Sequence, residues 1–262
     1  MQKKSFLPFL FLLFLIKTSD SYSQGEAEAT LDSSEVKEQH RFGFIDINGY
    51  YDTRKASTLS INYLAILNKK LAYFSFINYQ QSGLGDYNKG GLTNLDFFYT
   101  EHNLTYTISK KLPFDLNFQM VMLSLGGTGF KSTKFRLAPA LRVHDVWGIS
   151  PFFKKIHLNW GINFHIVQFG NQFPLDDFKW QIEHFYRLEI APKLTKNRIY
   201  ISGFADHTFG GPMSAGLVME HQLGVRIYDQ FYAVAEYRHF SYYPDPYKDG
   251  VGLGLQYLIL FK

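Results

Sequence analysis

Cysteine is missing from all 262 residues, which rules out a disulfide-stapled scaffold and leaves no thiol to carry a lipid anchor. Long apolar runs are scarce as well. The run FLPFLFLLFLI, Phe6 to Ile16, has eleven residues, whereas a helix needs about twenty to cross a bilayer. Charge of one sign is also lacking: the formal net charge is only +4, too little to suggest a nucleic-acid partner. No stretch has a persuasive helical period. There is no GxSxG, no HExxH and no phosphate loop at a strand-to-helix junction. The glycine-rich stretches from Gly85 and Gly126 read as connections between strands, and nothing calls for a cofactor or a metal.

What is present begins with an address. Lys3 and Lys4, the apolar run, and the small residues Ser21 and Ser23 have the layout of a secretory signal peptide, residues 1–23, cut after Ser23. Its removal takes away three lysines and one aspartate and leaves a charge of +2. Residues 24–40 are polar and acid-rich and read as a disordered lead-in.

From Arg41 to Lys262 the chain consists of about twelve alternating runs, separated by clusters of Gly, Asn, Asp, Lys and Pro. Each run is long enough for a membrane strand, which takes about nine to eleven residues. Longer connections tend to follow every second strand, the asymmetry of outer-membrane barrels. The fold expected is all-β: a single closed antiparallel transmembrane barrel of about 12 strands in a bacterial outer membrane. A secreted β-sandwich also alternates, but strand length and aromatics at the strand ends favour the barrel.

Parity sorts the charges. Asp46, Glu101, Asp115, Arg136, Arg142, Glu183, Arg187, Glu189, Asp206, Glu220, Arg226, Glu236 and Arg238, with His144 and His165, share the face expected to point inward. Leu104, Tyr106, Phe118, Leu137, Leu223 and Val225 are among those sharing the other. A lipid-facing Arg or Lys at mid-bilayer costs about 2–4 kcal/mol, so the common parity is informative. The repeated pairs Glu101-His102, Glu183-His184 and Glu220-His221 place three glutamates at similar heights. Glu101, Glu183, Arg187, Glu220, Arg226, Glu236 and Arg238 are the candidate lumen-lining, solute-binding residues. They either flank a solute path or brace the wall as ion pairs. The histidines that follow the glutamates, with His207 and His239, are expected either outward, as a belt of amphipathic rings in contact with outer-membrane lipid, or in part inward, where a bulge turns them.

The closing stretch GVGLGLQYLILFK, Gly250 to Lys262, puts Val251, Leu253, Leu255, Tyr257, Ile259 and Phe261 on one face. It resembles the C-terminal assembly signal of outer-membrane barrels, in which the aromatic is usually last; here Lys262 follows it. With the hairpin partner AVAEYRHF and about twelve strands, the layout resembles the nucleoside-specific outer-membrane channels of the Tsx type and related twelve-stranded barrels. That resemblance implies passive uptake of small polar solutes such as nucleosides. It transfers no binding residues.

Two other functions stay open. His239 and Ser241, with Asp249, loosely resemble the outward His-x-Ser arrangement of the lipid A deacylase barrels, an acyl-ester hydrolase reading. There serine attacks the ester, histidine takes the proton and an acid orients the histidine. The Ser-Asn-Ala continuation of that family is replaced by Ser241-Tyr242-Tyr243. A barrel plugged by its own side chains, serving structure or adhesion, is the third reading.

Overall fold

The computed structural model describes residues 42–81, 97–125, 130–171, 179–210, 215–241, 245 and 248–261. The expected signal peptide, the lead-in and Lys262 lie outside them.

The chain closes into an antiparallel barrel. Its strands are β1 (Phe42–Asp52), β2 (Ser57–Ile66), β3 (Leu71–Gln81), β4 (Phe97–Thr107), β5 (Phe114–Leu125), β6 (Phe130–Arg142), β7 (Leu158–His165), β8 (Val167–Asn171), β9 (Trp180–Glu189), β10 (Ile199–Phe209), β11 (Ala215–Tyr228), β12 (Phe231–Phe240) and β13 (Asp249–Phe261). Neighbours in sequence pair in space, and β13 closes the ring on β1 from Gly43↔Phe261 to Asp52↔Gly252.

Thirteen strands make twelve staves, because β7 and β8 are two halves of one. Both pair with β6, through Ala140↔Asn163 and Leu137↔Val167, and Ile166 stands between them as an extra residue. Its N–H donates back to the Phe164 carbonyl at 2.9 Å. This β-bulge resets the alternation. His165 is buried before it, Ile166 and Val167 are both exposed, and Gln168 on the far side reaches the inward guanidinium of Arg136.

The two faces of the wall are inverted relative to a soluble protein. On β5, Asp115, Asn117 and Gln119 are buried while Phe114, Leu116 and Phe118 are exposed. On β13, Gln256 is buried and Val251, Leu253 and Leu255 are exposed. An apolar solvent outside and a polar interior produce this pattern, and a closed ring leaves no unpaired strand edge. Among the described residues no helix is long and apolar enough to cross a membrane.

Connections alternate between two ends. At one, here the turn end, lie residues 67–70, 108–113, 143–157, 190–198 and 229–230; β1, β3, β5, β8, β10 and β12 end at the other, here the loop end, where residues 53–56 lie. The turn end departs from the sequence expectation in two places. The run through His144 to Trp147 does not continue β6: Val143–Asp145 form a 3-10 turn, followed by the helix α1 (Ser150–Ile156). His144 therefore leaves the inward set, and its Nδ1 accepts the Trp160 backbone N–H at 3.1 Å. The run ending APKL leaves β9 at Glu189 and forms the single turn α2 (Pro192–Thr195), because Pro192 has no N–H to offer a ladder.

Candidate functional site: the barrel interior

The interior is shaped by contacts between walls. Phe76 on β3 and Phe204 on β10 meet edge to face, with ring centroids 6.2 Å apart and planes at 67°. Five staves separate them in either direction, so diametrically opposite walls touch. This aromatic bridge divides the interior into two polar lobes.

The first lobe is lined by β4 to β10. Tyr99 and Glu101 share a short hydrogen bond. Gln119 donates to Glu101 Oε2 at 3.1 Å and accepts from Arg136 Nη1 at 2.8 Å, and Arg136 Nε donates to Gln168 Oε1 at 3.0 Å. Glu183 Oε2 accepts from Asn163 at 2.8 Å and from His165 Nε2 at 2.9 Å. Lys134 is 1% exposed, and Asp206 is also buried.

The second lobe is lined by β1, β2 and β11 to β13. Arg238 pairs closely with Glu236, lies 3.7 Å from Glu220 Oε1, and donates from Nη1 to Thr58 Oγ1 at 3.2 Å. Arg54, in the turn after β1, folds back over the loop-end mouth. Its Nη2 is 2.5 Å from Asp52 Oδ2 and its guanidinium lies over the Phe240 ring. Gly250 makes room for it, since a Cβ there would sit 2.4 Å from Arg54 Nε.

Below these pairs runs a neutral chain: Tyr50 donates to Gln222 Oε1 at 2.8 Å, Gln222 to the Tyr200 hydroxyl at 2.5 Å, and Tyr200 to Gln256 Oε1 at 2.5 Å. The rings of Tyr50, Tyr200 and Tyr232 pack with Val234 and Leu258. Six carboxylates, Glu101, Glu183, Asp206, Glu220, Glu236 and Asp52, share the lobes with four cations, Arg136, Lys134, Arg238 and Arg54, and tyrosine, amide and histidine groups supply hydrogen bonds to Glu101 and Glu183. His165 Nδ1 and Arg238 Nη2 are buried with no protein partner among the described residues.

Of the seven residues singled out from parity, five are in this network. Glu101, Glu183, Glu220, Glu236 and Arg238 are all at most 9% exposed. Arg187 is nearer the turn end and half-buried, bonded to Glu189 at 2.7 Å and stacked over Tyr200 at 4.0 Å. Arg226 is apart from the others, donating to the Lys196 carbonyl at the turn-end rim. Sequence reasoning missed Arg54, because a turn residue has no parity. It missed Lys134, although Lys134 shares the parity of Arg136, and it missed the neutral bridges through Gln119, Gln222 and Gln256.

The outward histidines are not free rings. His102 is bonded to Tyr73 at 2.6 Å, His221 to Tyr186 at 3.0 Å, and His184 stands edge to face with His207. At the loop-end rim His239 Nδ1 is 2.8 Å from Asp249 Oδ1, which also accepts the Tyr237 hydroxyl at 2.6 Å. Ser241 Oγ accepts the Leu217 N–H at 2.8 Å, and no bond joins it to His239 among the described contacts. Among the described residues no three His, Cys, Asp or Glu side chains are grouped to hold a metal ion.

No family model and no curated protein matches the chain. Among solved structures it is similar to a KdgM porin, also solved in complex with disordered oligogalacturonate, at 12% identity and a TM-score of 0.46, covering 82% of this chain and 98% of that one. An outer-membrane channel from Pseudomonas putida F1 gives 10% identity and a TM-score of 0.44, over 85% and 96%. A Rhodopseudomonas blastica porin triple mutant gives 8% identity and 0.33, over 85% and 100%. At these identities none transfers a substrate to this chain.

Proposed function

We propose that this chain is an outer-membrane channel for passive passage of small polar solutes, with its turn end toward the periplasm. The observation that carries the reading is the distribution of polarity: an apolar outer wall around an interior of paired carboxylates, guanidiniums and amides. Such an interior offers a solute replacement hydrogen bonds along its whole length. His165 Nδ1 and Arg238 Nη2 add donor or acceptor capacity that no side chain among the described residues uses. The touching walls at Phe76 and Phe204 set a narrow bore, suited to small solutes rather than to polymers.

The finer reading is a nucleoside-like solute. Phe76 and Phe204 present ring faces on which a planar base stacks, worth about 1–3 kcal/mol per base. Glu101, Glu183, Glu220, Glu236, Arg187, Arg226 and Arg238 are the residues proposed to meet its polar edges. Reconstitution into planar bilayers and solute-loaded liposomes tests both levels. Small single-channel steps, with uridine entering faster than a sugar of similar size, are expected. Steps without that preference leave a general channel, and no steps and no swelling mean a plugged barrel. The acyl-ester hydrolase alternative has a His239–Asp249 pair but no histidine-to-serine bond.

A further inference from the structure

The outer wall carries a groove that the channel reading does not use. It has a volume of about 400 Å³ and runs over β7, β9 and β10. Ala205 lines it together with the rings of Trp160 and Tyr186, and Leu158 and Leu188 lie at its turn-end mouth. The rings of His184 and His207, edge to face with centroids 5.5 Å apart, mark its other end. From Leu188 to the rung of His207 is six residues of β9, about 20 Å along the strand. A barrel tilt of about 40° makes that roughly 15 Å along the barrel axis, which is about one leaflet of a hydrocarbon core roughly 30 Å thick.

The charge at the turn end is predominantly positive. The turn-end connections contain Lys69, Lys70, Lys110, Lys111, Lys154, Lys155, Lys193, Lys196 and Arg198, all exposed, against two acids, Asp145 and Asp229. The loop-end connections hold five bases and five acids in sequence. Basic residues stand on the two helices that adjoin the strand ends at its mouth, α1 before Leu158 and α2 after Leu188. Lys154 and Lys155 are on α1, whose Phe153 packs on Trp160 with centroids 6.1 Å apart. Lys193 is on α2, which follows Leu188 and the end of β9.

We infer that this groove seats one acyl chain of an anionic phospholipid from the turn-end leaflet, with its phosphate held by Lys154, Lys155 and Lys193. An apolar slot one leaflet long, opening at a basic rim, is complementary to an acyl chain below a negatively charged headgroup. A second protein would need a larger flat face and would leave the slot unfilled. The inference rests on the barrel's spanning a bilayer, and the test separates the two.

Trp160 is the probe. With Trp147 and Trp180 replaced by Phe, the full-length barrel is reconstituted in phosphatidylcholine vesicles containing dibrominated phosphatidylcholine or dibrominated phosphatidylglycerol. Quenching of Trp160 by the brominated phosphatidylglycerol is expected at roughly three- to tenfold lower mole fraction. Lys154→Gln, Lys155→Gln and Lys193→Gln together should abolish that preference. Ala205→Trp, read in the same way after Trp160→Phe, fills the slot and should abolish it with the lysines intact. Heat-modifiable gel migration checks that each variant is folded. Equal quenching by the two lipids, or a preference that survives either change, overturns the inference. No quenching by either lipid in a folded barrel overturns the membrane reading itself.

Discussion

Phe76 and Phe204 touch across the full width of the barrel, 128 residues apart in sequence and with five staves between them on each side. Glu101 lies beside Phe76 in the β3–β4 register and Glu220 beside Phe204 in the β10–β11 register. The bridge therefore sits beside these two carboxylates, and the contact between opposite walls falls within the charged part of the interior.

Removing either ring should widen that point. Phe76→Ala and Phe204→Ala are each expected to raise single-channel conductance about two- to threefold. The double variant should add little to either single one, because both delete the same contact and contacting residues are not additive. Conductance in planar bilayers measures this, and two full, independent increases would show that the rings do not form the constriction.

Arg238 counters two buried carboxylates, Glu220 and Glu236. Arg238→Ala should destabilise the barrel by about 3–5 kcal/mol, the range for a buried pair stripped of one partner. Any channel that still forms should become more cation-selective. Thermal migration midpoints report the first effect and the reversal potential in a salt gradient the second.

The other lobe gives the opposite sign. Glu183→Gln removes one carboxylate from a lobe that also holds Arg136 and Lys134, while the new amide can still meet Asn163 and His165. The reversal potential should shift toward anions. A shift in the same direction as Arg238→Ala would show that the two lobes do not lie along one conducting path.

Two glycines near the closing seam should respond differently. A Cβ on Gly254 would lie 2.0 Å from the Gly49 carbonyl oxygen, a backbone atom that cannot move without parting β1 from β13. A Cβ on Gly49 meets nothing within 4 Å. Gly254→Ala should sharply reduce the yield of heat-modifiable folded barrel, and Gly49→Ala should leave it unchanged.

Deletion of Ile166 tests the bulge. Without the extra residue Val167 follows His165 directly, so Val167 stays outward, Gln168 stays inward against Arg136, and the ladder from Asn163 to Gln168 runs unbroken along β6. Refolding into detergent micelles should therefore succeed for the deletion, whereas deletion of Gln168 instead should turn Phe169 into its inward place and give a barrel with a lower migration midpoint.

The twelve-stave wall and the sorting of charge to one face were legible in the sequence, because in a strand a period of two is a direct statement about faces. Glu101, Glu183, Glu220, Glu236 and Arg238 could be named from parity alone. The bulge left only a faint trace, the consecutive apolar pair Ile166 and Val167, and the helical turns after β6 and β9 were disguised by residues that continued the alternation.

Parity says which side a side chain leaves from and nothing about how far it reaches or what it meets. The meeting of Phe76 with Phe204, the link from Tyr50 to Gln222, the fold of Arg54 over the mouth and the groove beneath Trp160 all join residues distant in sequence. Their distances follow from ring closure, stagger and local bulges, which set the cross-section of the barrel. Local alternation determined the wall and its two solvents; only the closed tertiary structure decided how the interior is divided and where its outer face is hollow.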